Sequence, residues 1–170
     1  MPNRNIDVEN LIFEYLSAEG MFKEKLNVPN IDFGFIFSFP PGPKGQNMSV
    51  FKPSKRNFIN IVIKVQLSKT HQQALNSLKN AKKYEFFNNM RKYFINKEVY
   101  FRIDKKNFMY EIIGQIFVDN DNFIPINDFF KSIQKVYYCY LFSNLLLDDY
   151  CSGKEPSLEQ SSKYDYSLYS

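Results

Sequence analysis

The sequence predicts a single α+β domain: an antiparallel sheet of about five strands with helices packed on one face, in the order α-β-β-β-α-β-β-α. Three observations predict it. Phe58 to Leu67 (FINIVIKVQL) places Ile59, Ile61, Ile63, Val65 and Leu67 on one side and Asn60, Val62, Lys64 and Gln66 on the other. That period of two belongs to a sheet covered on one side. Val8, Leu11, Ile12, Tyr15 and Leu16 fall at i, i+3, i+4, i+7 and i+8, the stripe of an amphipathic helix. Short apolar runs are separated by turn-forming segments such as PPGPKGQN and DKKN, the mark of hairpins.

The first helix is predicted over Asn5 to Gly20, with Gly20 as its stop, and Pro29 then breaks the chain. Ile31 to Phe39 is the first strand, Pro40 to Asn47 a loop, Met48 to Lys52 a second strand, and PSKR a turn before the strand from Phe58. A helix begins at about Lys69 with Ser68 as its N-cap. Its core stripe is His71, Ala74, Leu75 and Leu78, and it continues, with a break, through Phe86, Met90, Tyr93 and Phe94. Val99 to Ile103 and Phe108 to Val118 pair across DKKN, and DNDN (Asp119 to Asn122) closes that sheet. The last helix runs from about Ile126 to Tyr150 on a stripe that includes Phe129, Ile133, Val136 and Tyr140. Residues 1–150 form the domain, and the Ser- and Tyr-rich residues 151–170 are expected to be a disordered tail.

One hundred and seventy residues can bury a sizeable core. The 18% aromatic fraction is high, with 18 Phe, 12 Tyr and no Trp. A net charge of +4 permits attraction to polyanions without demanding it. Cys139 and Cys151 stand 12 apart with no zinc-like spacing, which argues against a disulfide framework and fits a reducing compartment. The opening MPNRNIDVENLIFEYL lacks a signal-peptide pattern, and Val136 to Leu147 is too short to span a bilayer. A cytoplasmic location, without membrane attachment, is the expectation.

The opening amphipathic helix, FIFSFP at Phe35 to Pro40, FKPSKRNFINIVIKVQLSKTHQQAL at Phe51 to Leu75 and the long apolar final helix carry a resemblance. Together they resemble a small, mainly archaeal family of domains of unknown function. That family is similar in fold to bacterial type III secretion chaperones and to sensory-transduction-regulator-like domains. It starts a helix with a Ser-Pro-Glu-His-like pattern; Ser68 and His71 match, while Lys69 and Thr70 replace the Pro and Glu. The resemblance covers about residues 5–150. It implies the fold rather than an activity, and it implies no catalytic residues. Secretion chaperones are usually acidic, whereas this chain is slightly basic.

His71, the single histidine, would as a general base need a nucleophile and an orienting carboxylate, and no local motif supplies them. It is read as part of a helix start. In PPGPKGQ, Gly42, Lys44 and Gly45 have the wrong spacing for a phosphate loop, so a hairpin loop is expected. DNDN lacks the Gly and Glu of a calcium loop, since the twelfth position counted from Asp119 is Phe130. No catalytic residue, metal site or cofactor is assigned, and the protein is expected not to be an enzyme.

Two candidate surfaces stand out. Tyr138, Phe142, Leu145 and Leu146 widen the apolar girth of the last helix beyond what one sheet covers. They are a candidate protein interface, either with the same helix of a second subunit in a homodimer or covered by the first helix. Lys79, Lys82, Lys83, Arg91 and Lys92, interleaved with aromatics, are a candidate polyanion contact. The expected function is a non-enzymatic interaction or adaptor module, chaperone-like, that binds a protein or peptide through the sheet's open face, a sheet edge or the final helix. The alternative is a nucleic-acid-binding module that uses the basic face of the middle helix.

Overall fold

The computed structural model describes residues 7–152 of the chain. It has four helices and a six-stranded antiparallel sheet. Helix α1 (Val8–Ala18) is capped by Asp7, whose carboxylate accepts the N–H of Glu9. It leads into β1 (Phe22–Lys25), β2 (Ile31–Phe39), β3 (Gln46–Pro53) and β4 (Phe58–Gln66). Helices α2 (Lys69–Ser77) and α3 (Asn80–Asn96) come next, then β5 (Tyr100–Asp104), β6 (Met109–Phe117) and the 26-residue α4 (Ile126–Cys151). The spatial order is β1-β2-β3-β4-β6-β5, with every neighbouring pair antiparallel.

The predicted class holds, and two elements refine it. Strand β1, FKEK, is additional to the expected strands, so the sheet has six rather than about five. Four residues with one aromatic carry no alternation to read; pairing with β2 gives them their strand. The middle helix is two helices, because Leu78 and Lys79 are extended, with ψ of 147° and 146°. Ser68 caps α2 as expected: its hydroxyl accepts the backbone N–H of His71 at 3.2 Å.

All four helices cover the same side of the sheet. Phe35, Val50, Ile61 and Gly114 form one row across β2, β3, β4 and β6, and each is buried. Phe13 of α1 packs on Phe35. Phe94 of α3 packs on Phe101 and Tyr110. Tyr15 of α1 meets Phe129 and Phe130 of α4, which closes the helical layer. Helix α4 lies so close to β6 that a Cβ on Gly114 would sit 2.8 Å from both Ser132 Oγ and Val136 Cγ2; glycine is what permits that approach. At the far end, the buried hydroxyls of Tyr110 and Ser143 are 2.6 Å apart. Of the expected tail at 151–170, Cys151 completes α4 and Ser152 is its C-cap, and the rest lies outside the described residues.

Candidate functional site

The opposite face of the sheet has no helix over it among the described residues. Its middle row is Ile36, Ser49, Val62, Ile113 and Tyr100, one residue from each of β2, β3, β4, β6 and β5. Four of the five are apolar or aromatic. Ile36, Val62 and Ile113 are half-buried by their neighbours, and Tyr100 is 62% exposed. A row of large side chains with no element packed on it is the sort of patch that meets a partner. On one flank run Lys64, Glu111 and Arg102, joined by ion pairs at 3.6 Å and 2.9 Å. On the other run Gly34, Phe51, Asn60 and Gln115, with Gln115 Nε2 donating to Asn60 Oδ1 at 3.4 Å. The turn after β1 brings Leu26 close to Gly34 and covers that corner. The face is therefore an apolar stripe with a charged rail on one flank and, on the other, Phe51 beside the Asn60–Gln115 amide pair, and β5 ends the sheet with an unpaired outer edge among the described residues.

The apolar girth of α4 is largely covered within the chain, by α3 more than by α1. Phe142 stacks flat on Tyr93 of α3, with centroids 3.6 Å apart and rings 7° from parallel. Leu146 is 9% exposed and belongs to the core. Leu145 is half-buried, while Tyr138 is 45% exposed. Of the four predicted interface residues, Tyr138 alone faces well into solvent. The sequence could not show that the break at Leu78 turns α3 back along α4.

The five predicted polyanion contacts do not share one face. Lys82 and Lys83 are sequence neighbours, as are Arg91 and Lys92, and neighbours on a helix diverge by about 100°. Lys79 lies outside α3, in the extended link. Lys82 pairs with Glu85 at 3.6 Å, and Lys83 donates to Asn76 while lying over the Phe108 ring.

A different cluster of cations was not legible in the sequence. Tyr93 on α3, Lys97 at its C-cap, and Lys131, Gln134, Lys135 and Tyr138 on α4 line a groove of about 280 Å³ between the two helices. Residues 131, 134, 135 and 138 are one stripe at i, i+3, i+4 and i+7. The lysines are far apart in sequence, and only the packing of α3 on α4 joins them.

His71 is half-buried at the start of α2, where its backbone N–H completes the Ser68 cap. The Pro40 to Gly45 segment is the β2–β3 hairpin loop. In DNDN, the Asp119 carboxylate accepts the N–H groups of Asp121 and Phe123, a turn closed on itself. Burial raises the Cys139 thiol to about 11, against the pull of Lys97 and Lys135, so it is a poor nucleophile at neutral pH. Among the described residues both cysteines are free, no group of three or more acidic, His or Cys side chains could hold a metal ion, and no helix is long and apolar enough to cross a membrane.

The chain belongs to a family of uncharacterized conserved proteins, DUF2299, whose pattern spans residues 8–147. Those bounds run from the first residue of α1 to Leu147, the last deeply buried residue of α4. Its fold is similar to the crystal structure of an uncharacterized protein from Methanothermobacter thermautotrophicus, an archaeon. The TM-score is 0.76 at 19% identity, over 85% of this chain and 99% of that one. No curated protein matches the chain.

Proposed function

We propose that this protein is a non-enzymatic interaction module that holds a protein partner on the helix-free face of its sheet, in the manner of a chaperone or adaptor. The observation that supports this most is the Ile36–Ser49–Val62–Ile113–Tyr100 row, whose apolar side chains have no covering element among the described residues. The partner presents an apolar strip to this row and polar groups to the Lys64–Glu111–Arg102 rail. An extended segment added along the outer edge of β5 would lengthen the sheet and pass beside Tyr100. A homodimer through α4 has less surface to draw on, because Phe142 and Leu146 are engaged inside the chain.

The test is a comparison of partner sets. Wild-type protein, the Val62→Lys/Ile113→Lys double variant and Lys92→Glu are used as baits, and the captured proteins are identified by mass spectrometry. A set retained by wild type and Lys92→Glu but lost by the double variant is the expected result. An identical set on all three baits would end the reading. Light scattering on the same three proteins shows whether a second copy is the occupant: a dimer in wild type that becomes monomeric in the double variant.

A further inference from the structure

We propose that the groove between α3 and α4 is a docking site for an acidic peptide segment. It lies in the helical layer and is independent of the open face of the sheet. Its lining offers three lysines, two tyrosines and a glutamine, and no carboxylate. Glu98 comes directly after Lys97 in sequence but does not line the groove. The ion pairs among the described residues engage Lys25, Lys52, Lys64, Lys82 and Arg102, leaving Lys97, Lys131 and Lys135 without an acidic partner. Three ammonium groups around one cleft repel one another, and a ligand carrying carboxylates relieves that repulsion.

The geometry favours a peptide over a nucleic acid. From Lys131 to Lys135 and Tyr138 the helix rises by about 10 Å, the span of about three extended residues. Bases would need free ring faces to stack on. Tyr93 has none to give, since Phe142 stacks on its ring and the Lys97 ammonium lies over it at 5.5 Å. Of the remaining cations of α3, Lys82 shares the Tyr93 stripe three turns away and is paired with Glu85 at 3.6 Å, while Lys83, Arg91 and Lys92 are turned away around the helix, so no continuous basic track leads off along which a phosphate backbone could run. Tyr138, 45% exposed at the groove's end, is placed to donate its hydroxyl to a carboxylate or to cover a neighbouring side chain.

The probes are fluorescein-labelled hexaglutamate and fluorescein-labelled thymidine hexanucleotide, monitored by anisotropy with the full chain. Hexaglutamate should bind the wild type, lose at least about tenfold in affinity in Lys131→Gln/Lys135→Gln, and lose less than about twofold in Lys82→Gln/Lys92→Gln. Binding should vanish near 1 M salt, where the Debye length is about 3 Å. Circular dichroism melts confirm that the variants, all at solvent-facing positions, are folded. The single variant Tyr138→Asp, which places a charge at the groove's end, should also weaken hexaglutamate. Equal losses in the two double variants would mean diffuse attraction and overturn the proposal, as would no binding of hexaglutamate. Tighter binding of the oligonucleotide with the same lysine dependence would overturn the peptide assignment.

Discussion

Along β4 consecutive residues belong to two different environments. Ile59, Ile61 and Ile63 are fully buried beneath the helices, while Asn60, Val62 and Lys64 face away from every helix described. The same division runs through β6, with Tyr110, Ile112 and Gly114 inward and Glu111, Ile113 and Gln115 outward. The inner face is fixed by packing, because its side chains belong to the core that the sheet shares with the helices. The outer face is apolar at Val62 and Ile113 without being enclosed. Stability should thus be concentrated on one side of the sheet, and recognition on the other.

The largest expected effect comes from truncating the inner side. Ile61→Ala removes a side chain with no exposed surface and should cost about 2–5 kcal/mol, through lost burial and the cavity left behind. Val62→Ala, its neighbour, should cost under about 1 kcal/mol. Urea denaturation of both variants measures the contrast; equal costs would mean that the outer face is covered as firmly as the inner.

Gly114→Ala should cost about 1–3 kcal/mol, because its new methyl would meet Ser132 and Val136 at 2.8 Å. Adding Val136→Ala should return part of that loss, so a double-mutant cycle should show coupling. The outer neighbour Ile113 touches no helix and should show no such coupling to Val136.

These two contrasts also mark what the sequence could reveal. The alternation in Phe58 to Gln66 was legible because one face is buried and the other is not, and the bounds of β2 agree with its Phe- and Ile-rich run. The Ser68 cap was legible from one serine placed just before a helical pattern. Strand β1 was not, since FKEK has no pattern and depends on β2. A break in the middle helix was expected, but its place at Leu78 and Lys79 has no glycine or proline to announce it. Of the surfaces, the open face of the sheet was foreseen as a class, but its middle row needed the register of five strands. The lysine groove joins residues 97, 131 and 135 through helix packing alone. Sequence reasoning instead grouped Lys79, Lys82, Lys83, Arg91 and Lys92, which are close in the chain and diverge around the helix.

A smaller effect is expected from pH, and it too belongs to the inner side. Burial raises Cys139 from 9.0 to about 11, raises Tyr110, and raises Tyr150 from 10.0 to about 12, where its hydroxyl also donates to Glu85. Each of these groups is neutral when protonated, and its folded-state pKa lies above the unfolded value. The stability it contributes is complete below the unfolded value and is lost as pH rises through the folded one. The urea midpoint should therefore fall between pH 9 and about 11, and Cys139→Ala should flatten the first part of that fall. Tyr110→Phe should cost about 1 kcal/mol at neutral pH, since Ser143 keeps its bond to the Tyr140 carbonyl, and should reduce the alkaline slope.

The smallest expected change in stability is the most informative about function. Val62→Thr and Ile113→Thr keep β-branched side chains on pleated strands, so both retain strand propensity. Neither site is enclosed, and a hydroxyl there remains in reach of water, so no buried polar group is created. Each substitution should shift stability by less than about 0.5 kcal/mol. A partner that covers this row would nevertheless lose apolar contact at both positions and enclose two hydroxyls that have no partner of their own. Binding should then fall by much more than stability does, and measuring both on the same double variant separates the two faces. Were stability to fall with binding, the row would be a structural part of the sheet and the interaction would have to be sought on the helical side.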